Sequence, residues 1–242
     1  MIYSIVIQKG GVGKTTTAAA LAQAATSQGC KVLAIDLDPQ GNLTFALAGR
    51  ARRAGAYDLL HGAPAAEVIQ NTPQGLDLIS AGPELQTEAS SKGSALRLQE
   101  ALKPIQGHYN YIFIDTPSTA GELQYNAIQA AQGLIIPLQA DAYNLQSAYQ
   151  TIATAKKIMT SNHNLTIAGI IFTAFDARPK INKTMRQVIT DKCAELGAPC
   201  LGSVRKGIAA AEAAALQKSL YEYAPRSNPA KDYLQIFEKL KK

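Results

Sequence analysis

A glycine-rich run near the start of the chain holds the residues best suited to chemistry. Residues 8–16 read Gln-Lys-Gly-Gly-Val-Gly-Lys-Thr-Thr and follow a short apolar stretch. Glycines in such a loop let backbone amides turn toward an anion, and the first turn of a helix behind it adds partial positive charge. Lys14 would then reach the β- and γ-phosphates of a nucleotide, and the Thr15 hydroxyl would coordinate magnesium. A standard phosphate loop begins with glycine where this chain has Gln8, so the loop is a variant with an additional lysine at Lys9.

Carboxylates follow two other apolar runs, at positions that fit the same site. Asp36 and Asp38 come after the second apolar run of the chain, and Asp115 ends a later one. The carboxyl ends of parallel strands share one edge of a sheet, so these three side chains should converge on Lys14. An aspartate at a strand end often only caps a turn, which is the alternative for each one alone. Three together beside a phosphate loop favour a nucleotide and metal site.

The elements that must position these residues alternate along the chain. Short β-branched runs bounded by turn residues indicate buried strands, and helix-length segments lie between them. This order predicts one α/β domain over residues 1–242, with a mostly parallel twisted sheet and helices on both faces. Residues 48–72 show no strand pattern and are interpreted as a surface excursion. The predicted strands are residues 2–7, 31–35, 76–79, 111–114, 134–138 and 167–172, and the predicted helices are residues 15–28, 95–102, 124–131, 145–159 and 182–196.

Composition is that of an ordinary globular protein and argues against several classes. The 242 residues are 47% hydrophobic and 17% charged, enough to bury a sizeable core. Cys30, Cys193 and Cys200 are too few and too scattered for a disulfide framework or a C-x-x-C metal site. The start lacks a basic leader, and no stretch approaches the roughly 18 apolar residues of a membrane span. We therefore expect a cytoplasmic protein without a signal peptide or transmembrane segment.

Basic residues are concentrated in the second half of the chain. Residues 1–150 carry 9 Lys and Arg against 11 Asp and Glu (net −2), whereas residues 151–242 carry 15 against 7 (net +8). Such a surface can bind a polyanion by counterion release without reading sequence, and it can equally serve solubility alone. The predicted helix 182–196 has an apolar stripe, and Lys183 and Arg186 fall off it three residues apart, where both could meet phosphates.

Taken together, the motifs resemble those of the ParA/MinD family of deviant Walker A ATPases, and most closely those of its ParA partition branch. The resemblance implies a P-loop NTPase fold and slow, switch-type hydrolysis of ATP to ADP and phosphate. It extends, more weakly, as far as residues 203–205 and so covers nearly the whole chain. The motifs that carry it are Lys9–Thr16, Asp36–Asn42 and Ile114–Pro117, with further likeness over residues 75–81 and 134–139.

The resemblance also implies roles for individual residues. Lys9 would cross a dimer interface to the phosphates bound by the other subunit, so that two ATP molecules lie between two protomers. Asp38 would position the attacking water. Thr15 would bind magnesium, and Asp36 and Asp115 would support the ion through water. Catalysis would thus rest on Lys9, Lys14 and Asp38, and nucleotide contacts would come from Lys9, Gly10, Gly11, Val12, Gly13, Lys14, Thr15 and Thr16.

In the ParA branch, ATP-bound dimers bind DNA without sequence preference and are reset when a centromere-binding, ParB-like partner stimulates hydrolysis. The resemblance therefore implies a DNA partition ATPase that is cytoplasmic, homodimeric with nucleotide, and nucleoid-associated when ATP-bound. One departure is that the branch often has a further arginine after the position of Arg205, whereas this chain continues Lys-Gly-Ile-Ala. The candidate DNA contacts are Lys180, Lys183, Arg186, Arg205 and Lys206.

A MinD-like, membrane-associated positioning ATPase is the first alternative. Residues 229–242 are predicted to form a terminal helix, with Asn228 as N-cap and Pro229 at its first position. With lysines at its end, that helix could lie on anionic lipid, or it could dock on its own domain. Its apolar stripe consists of Tyr233, Ile236, Phe237 and Leu240.

A metabolic enzyme on the same scaffold is the second alternative. A cluster-carrying reductase would need cysteines after the strand that ends at Asp115, and the three cysteines lie elsewhere. An ATP-dependent ligase would need a substrate pocket, for which the sequence gives no motif.

Overall fold

The computed structural model describes residues 1–51, 54–88 and 95–241. Residues 52–53 of the predicted excursion and Lys242 of the predicted terminal helix lie outside the described residues. Eight strands in the described chain form one sheet. They are β1 (Ile2–Ile5), β2 (Val32–Asp36), β3 (Ile69–Asn71), β4 (Asp77–Ile79), β5 (Tyr111–Asp115), β6 (Gly133–Leu138), β7 (Thr166–Phe175) and β8 (Cys200–Arg205).

The sheet is parallel except at one edge. Its strand order is β3-β4-β2-β5-β1-β6-β7-β8, and among the described strands only β3 runs antiparallel to its neighbour. β1 lies between β5 and β6, so the loop that follows β1 emerges near the middle of the sheet's carboxyl edge. The register of β2 and β5 places Asp36 directly opposite Asp115. The predicted fold class is confirmed.

Twelve α-helices connect the strands within the described residues, together with a 3₁₀ turn at Gln106–His108. Each of the five helices predicted from sequence has a counterpart whose ends differ by three residues or fewer. The helices are α1 (Lys14–Ser27), α2 (Asn42–Ala48), α3 (Ala56–Leu60), α4 (Ala65–Val68), α5 (Leu85–Glu88), α6 (Arg97–Leu102), α7 (Glu122–Ala130), α8 (Ala142–Ile158), α9 (Lys180–Glu195), α10 (Ala209–Ala215), α11 (Leu220–Tyr223) and α12 (Asn228–Leu240).

Helices cover both faces of the sheet because successive strand side chains point to opposite faces. Phe113 of β5 packs in one core with residues of α1 and α12. Its neighbours Ile112 and Ile114 pack in a second core with α3, α6 and α7. A third core joins β6 and β7 to α8 and α9. Strands buried on both sides hold the carboxyl edge as a rigid platform for the loops that follow it.

The prediction of a surface excursion over residues 48–72 is wrong where that segment forms α3, α4 and β3. Leu59 of α3 and Val68 of α4 are fully or almost fully buried in the second core, and β3 pairs with β4. The sequence did not predict β3 because it is only three residues long and lies at the edge of the sheet. Three residues are too few to show the apolar and polar alternation that indicates a strand. β8 was also missed, since Gly202 and Ser203 interrupt its apolar pattern.

The terminal helix α12 docks on the domain. Its N-cap is Ser227, whose hydroxyl accepts a hydrogen bond from Ala230 N, so the predicted cap at Asn228 is wrong by one residue. Tyr233, Ile236 and Phe237 are buried against α1 and β8. The hydroxyl of Tyr233 is 3.0 Å from Thr17 Oγ1, one turn beyond the glycine-rich loop. None of the helices in the described chain combines the length and apolar character that a membrane span needs.

Candidate functional site

The loop between β1 and α1 is shaped to hold an anion. Gly11 and Gly13 have φ values of 72° and 85°, in the left-handed region that glycine enters without Cβ strain. Val12 between them is buried, and its carbonyl accepts a hydrogen bond from Thr173 Oγ1 at 2.8 Å. α1 begins directly after Gly13 without a side-chain cap. The first backbone amides of α1 are therefore open to a phosphate group.

Both lysines of the loop lie at its mouth, and both are engaged. Lys14 is buried, and its Nζ donates to the carbonyl oxygen of Lys9 at 2.9 Å. The Nζ of Lys9 lies 3.6 Å from Asp141 Oδ1 and 5.8 Å from the ring centroid of Tyr143. Lys14 thus points across the loop that would wrap the phosphates, whereas Lys9 points away from it toward α8.

Asp36 and Asp115 form a buried pair at the ends of neighbouring strands. Thr44 of α2 holds Asp36, because its backbone N and its hydroxyl each donate to Asp36 Oδ2 at 2.8 Å. Asp115 Oδ1 accepts from Thr116 N at 3.0 Å. Asp115 Oδ2 is buried without a hydrogen bond of ordinary geometry to any described residue. The pair therefore offers one buried oxygen whose bonding is incomplete.

The electrostatics of this pair favour a cation. Burial is the main cause that raises the pKa of both carboxyls, and in Asp115 the neighbouring Asp36 carboxylate raises it further. The Thr15 hydroxyl and the Lys14 ammonium act in the opposite direction on Asp115. Burial in turn lowers the pKa of Lys14, against the effect of Asp115 and Asp38. Two buried carboxylates beside one lysine carry excess negative charge, which a divalent ion would neutralise.

Asp38 stands at the rim of a cavity of about 690 Å³ that opens at the loop. Its side chain is half-buried, and its Oδ1 accepts from Gln40 N at 3.0 Å. Small-molecule sites commonly fill about 300–1,000 Å³, so the cavity can take a nucleotide. Its walls come from the loop, Ser118, and helices α1, α2 and α10, where alanines predominate. The structure thus brings Lys14 and all three predicted aspartates together at the loop, whereas the Lys9 ammonium lies apart from them at the start of α8.

The five predicted DNA contacts divide into two groups. Lys180, Lys183 and Lys206 are exposed. Arg186 is half-buried, because its guanidinium lies over the rings of Phe172 and Phe175 and its Nε donates to Ser203 Oγ at 2.8 Å. Arg186 is thus engaged within the fold, and its role as a DNA contact stays a prediction.

Arg205 is also engaged, at the junction of β8 and α12. Its Nε and terminal nitrogen donate to Asp232 at 2.6–3.2 Å, and its backbone N donates to the same carboxylate at 2.9 Å. Asp232 is buried, so this pair fixes α12 against the end of β8. Arg205 is exposed, but its charge is paired with a buried carboxylate.

Sequence reasoning missed three residues that shape the site. Thr44 donates two hydrogen bonds to Asp36. The only feature of the sequence that could have indicated this role is its position, eight residues after Asp36 at the start of a helix. Asp141 and Tyr143 meet Lys9 from the start of α8, more than 130 positions away in sequence. Nothing in their own spacing connects them with the loop.

Comparison with known proteins agrees with this geometry. Residues 1–167 match a family model described as an AAA domain. The chain is 36% identical over 236 residues to the chromosome-partitioning ATPase Soj of Thermus thermophilus, covering 96% of this chain and 92% of Soj. It is 35% identical over 248 residues to the chromosome partitioning protein ParA of Caulobacter vibrioides, covering 97% and 91%.

Solved structures share the same architecture. Cobyrinic acid a,c-diamide synthase from Mycobacterium smegmatis, with bound ADP and magnesium, superposes with a TM-score of 0.84 at 26% identity, over 99% of this chain and 93% of the synthase. The septum site-determining protein MinD of Pyrococcus horikoshii, complexed with Mg-ADP, gives a TM-score of 0.81 at 24% identity, over 100% and 96%, and shows the fold alone.

Proposed function

Because this chain belongs to the Soj/ParA family of P-loop ATPases, we propose that it is a DNA partition ATPase. It binds Mg-ATP, dimerises around two nucleotides and then binds DNA without sequence preference at the nucleoid. A ParB-like, centromere-binding partner resets it by stimulating hydrolysis. The observation that carries the proposal is the meeting of Lys14, Asp36, Asp38 and Asp115 at the glycine-rich loop, beside an edge of the sheet that carries exposed lysines.

Magnesium fits the residues at this mouth. The described residues contain no group of three or more His, Cys, Asp or Glu side chains that could enclose a metal ion unaided, so phosphate and water would complete the coordination. Thr15 would be the direct protein ligand, and Asp36 and Asp115 would support the ion through water. The incompletely bonded Asp115 Oδ2 suits that task. The bound ion would neutralise charge on the β- and γ-phosphates.

Catalysis by the chain's own residues consists of positioning and charge stabilisation. Lys14 leaves the Lys9 carbonyl for the β- and γ-phosphates, since a polyanion attracts its ammonium more strongly than a neutral carbonyl does. Asp38, at the cavity rim, orients the attacking water. Lys9 supplies a second cation to the nucleotide of the partner subunit, where negative charge develops as the phosphoryl group transfers.

Three exposed lysines support a DNA-binding surface. β7 and β8 are parallel, so the turn before Lys180 and Lys183 and the residue Lys206 all lie at the carboxyl edge of the sheet. Lys206 N donates to Phe175 O at 3.1 Å, which ties the end of β8 to the turn before α9. The acids of this region are occupied, because Asp176 pairs with Arg178 and Asp232 with Arg205. Lys180, Lys183 and Lys206 can therefore face phosphates without breaking an ion pair, whereas Arg205 is exposed but paired with Asp232 and Arg186 is half-buried.

The docked position of α12 weakens the membrane-binding alternative. Three residues of its apolar stripe are buried and Leu240 is half-buried, so the described part of the helix has little apolar surface left for lipid. The identity of 35–36% to partition proteins along nearly the whole chain supports the DNA-binding branch.

The decisive test is duplex DNA binding with Mg-ATP, with ADP and without nucleotide, over a salt series. We expect binding only with Mg-ATP, a steep fall of affinity with salt, and persistence of binding in Asp38→Ala, which should bind ATP but hydrolyse it slowly. Lys183→Ala should weaken binding and lower the salt slope by about one. Lys192→Ala is the matched control on the same helix, because Lys192 is paired with Glu195. ATP-dependent dimers without DNA binding would refute the partition function.

A further inference from the structure

Lys9 has two partners on its own subunit. Its ammonium lies 3.6 Å from Asp141 Oδ1 and 5.8 Å from the centroid of the Tyr143 ring. A cation at these positions is attracted both by the carboxylate and by the face of the ring. The Tyr143 side chain is otherwise poorly covered, since the residue is 78% exposed. Lys9 is thus held at the start of α8 of its own subunit, whereas the proposed function requires it at the nucleotide of the partner subunit.

The start of α8 is a fixed support for this contact. Asp141 is the N-cap of the helix, and its Oδ1 accepts a hydrogen bond from Asn144 N at 2.9 Å. Gln139, two residues earlier, donates from Nε2 to the carbonyl of Gly11 at 3.4 Å. The segment between β6 and α8 therefore touches the glycine-rich loop at two points, one through Lys9 and one through Gly11.

The loop itself permits Lys9 to leave. Lys9 is followed by Gly10 and Gly11, and glycines lack the Cβ that restricts backbone dihedrals in other residues. The backbone there can rotate at low steric cost. The carbonyl of Lys9 accepts the hydrogen bond from Lys14 Nζ, and ATP phosphates compete for that ammonium. Binding of ATP to one subunit thus removes the hydrogen bond from Lys14 Nζ that restrains the backbone of Lys9 in the same subunit.

We propose that Asp141 and Tyr143 are positioning residues that hold Lys9 on its own subunit until ATP-dependent dimerisation draws it across the interface. We call Lys9, Asp141 and Tyr143 the lysine latch. The inference rests on the proposed function, in which Lys9 contacts the nucleotide of the partner subunit. The latch competes with that contact, so it raises the protein concentration needed for dimerisation. The side chains of Lys9 and Asp141 are 31% and 42% exposed, so each latch should contribute a factor of about 1.5 to 5. Since both subunits must open their latch, the two factors multiply and the concentration should change by about 2- to 25-fold.

The first experiment observes the latch in the nucleotide-free protein. The ε-methylene resonance of Lys9 is followed by NMR in protein carrying ¹³C-lysine and is assigned by its loss in Lys9→Arg. The Tyr143 ring should shift this resonance upfield, and Tyr143→Leu should return it to the position of the exposed lysines. Tyr149→Leu, on the same helix, is the control and should leave it in place. An unchanged Lys9 resonance in Tyr143→Leu would overturn the latch.

The second experiment measures the consequence by analytical ultracentrifugation with Mg-ATP. Asp141→Asn removes the charge and keeps the helix cap, because asparagine is an equally good N-cap. Because two latches open for each dimer formed, its half-dimer concentration should fall about 2- to 25-fold below that of the wild type. An unchanged or higher concentration contradicts the proposal. If the wild type forms no dimer with Mg-ATP, the proposed function fails, while the NMR comparison still decides whether Lys9 is latched.

Discussion

Truncation of Phe237 to alanine tests whether α12 is part of the fold. The side chain has no exposed surface, and its ring meets the Tyr111 ring edge-on with the centroids 5.1 Å apart. A buried phenylalanine cut to alanine loses its transfer free energy and leaves a cavity, at a cost of about 3–5 kcal/mol of unfolding free energy. For a chain of 242 residues, each kcal/mol lowers the thermal midpoint by about 2 °C, so Phe237→Ala should lower it by about 6–10 °C.

The assay is urea and thermal denaturation of the nucleotide-free protein, followed by circular dichroism. Gln235→Ala is the matched control, because Gln235 is exposed on the same helix and should change the midpoint little. The reasoning is refuted if Phe237→Ala keeps the wild-type midpoint and instead loses binding to anionic vesicles. That result would make α12 a lipid-binding helix, and the MinD-like alternative would replace the docked arrangement.

Three further predictions concern the mouth and the basic edge. Gly13→Ala should abolish ATP binding in a nucleotide-titration assay, because its φ of 85° disfavours a side chain at the start of α1. Gly29→Ala is the control, because Gly29 has a similar φ of 78° and open space around it. It should cost a comparable backbone strain of about 1–2 kcal/mol and leave ATP binding intact. Asp115→Asn should raise the thermal midpoint of the nucleotide-free protein while weakening the magnesium dependence of ATP binding. Burial raises the pKa of Asp115 in the folded protein, so the wild type loses folding stability as pH rises above the ordinary carboxyl range. The difference in thermal midpoint between Asp115→Asn and the wild type should therefore grow with pH. A difference that shrinks as pH rises contradicts this. Lys206→Ala should lower the salt slope of DNA binding by about one without changing the thermal midpoint, whereas Arg205→Ala should lower the midpoint because it leaves the buried Asp232 unpaired. Equal midpoints for these two variants would count against the division between free and structural cations.

The centre of the site could be predicted because it depends on rules that a sequence displays. A continuous apolar run indicates a strand buried on both faces, and the carboxyl ends of parallel strands share one edge. Asp36 and Asp115 each end such a run, and the register indeed sets them opposite one another. The glycine-rich loop follows a strand and opens a helix, which is the context that its motif requires.

Residues whose role depends on a distant partner could not be predicted. Asp232, the partner of Arg205, lies 27 positions further along the chain. Ser203, the partner of Arg186, lies 17 positions further and belongs to β8, a strand that the sequence did not predict. Lys9 meets Asp141 over 132 positions. Each of these cations looks available in sequence, and each is engaged in the fold. Counting basic residues therefore overstates the surface that is open to a polyanion.

The free lysines suggest why DNA binding should depend on ATP. β8 is an edge strand, and Lys180, Lys183 and Lys206 leave the sheet at the same carboxyl edge from which the glycine-rich loop emerges. One subunit then offers about three phosphate contacts, for a salt slope of about three. In the proposed function, a dimer closed across two nucleotide mouths brings two such surfaces onto one particle and doubles that slope to about six. Affinity then changes steeply with dimerisation, although none of these three lysines changes its own contacts. A measured slope that is equal for monomer and dimer would mean that only one surface touches DNA.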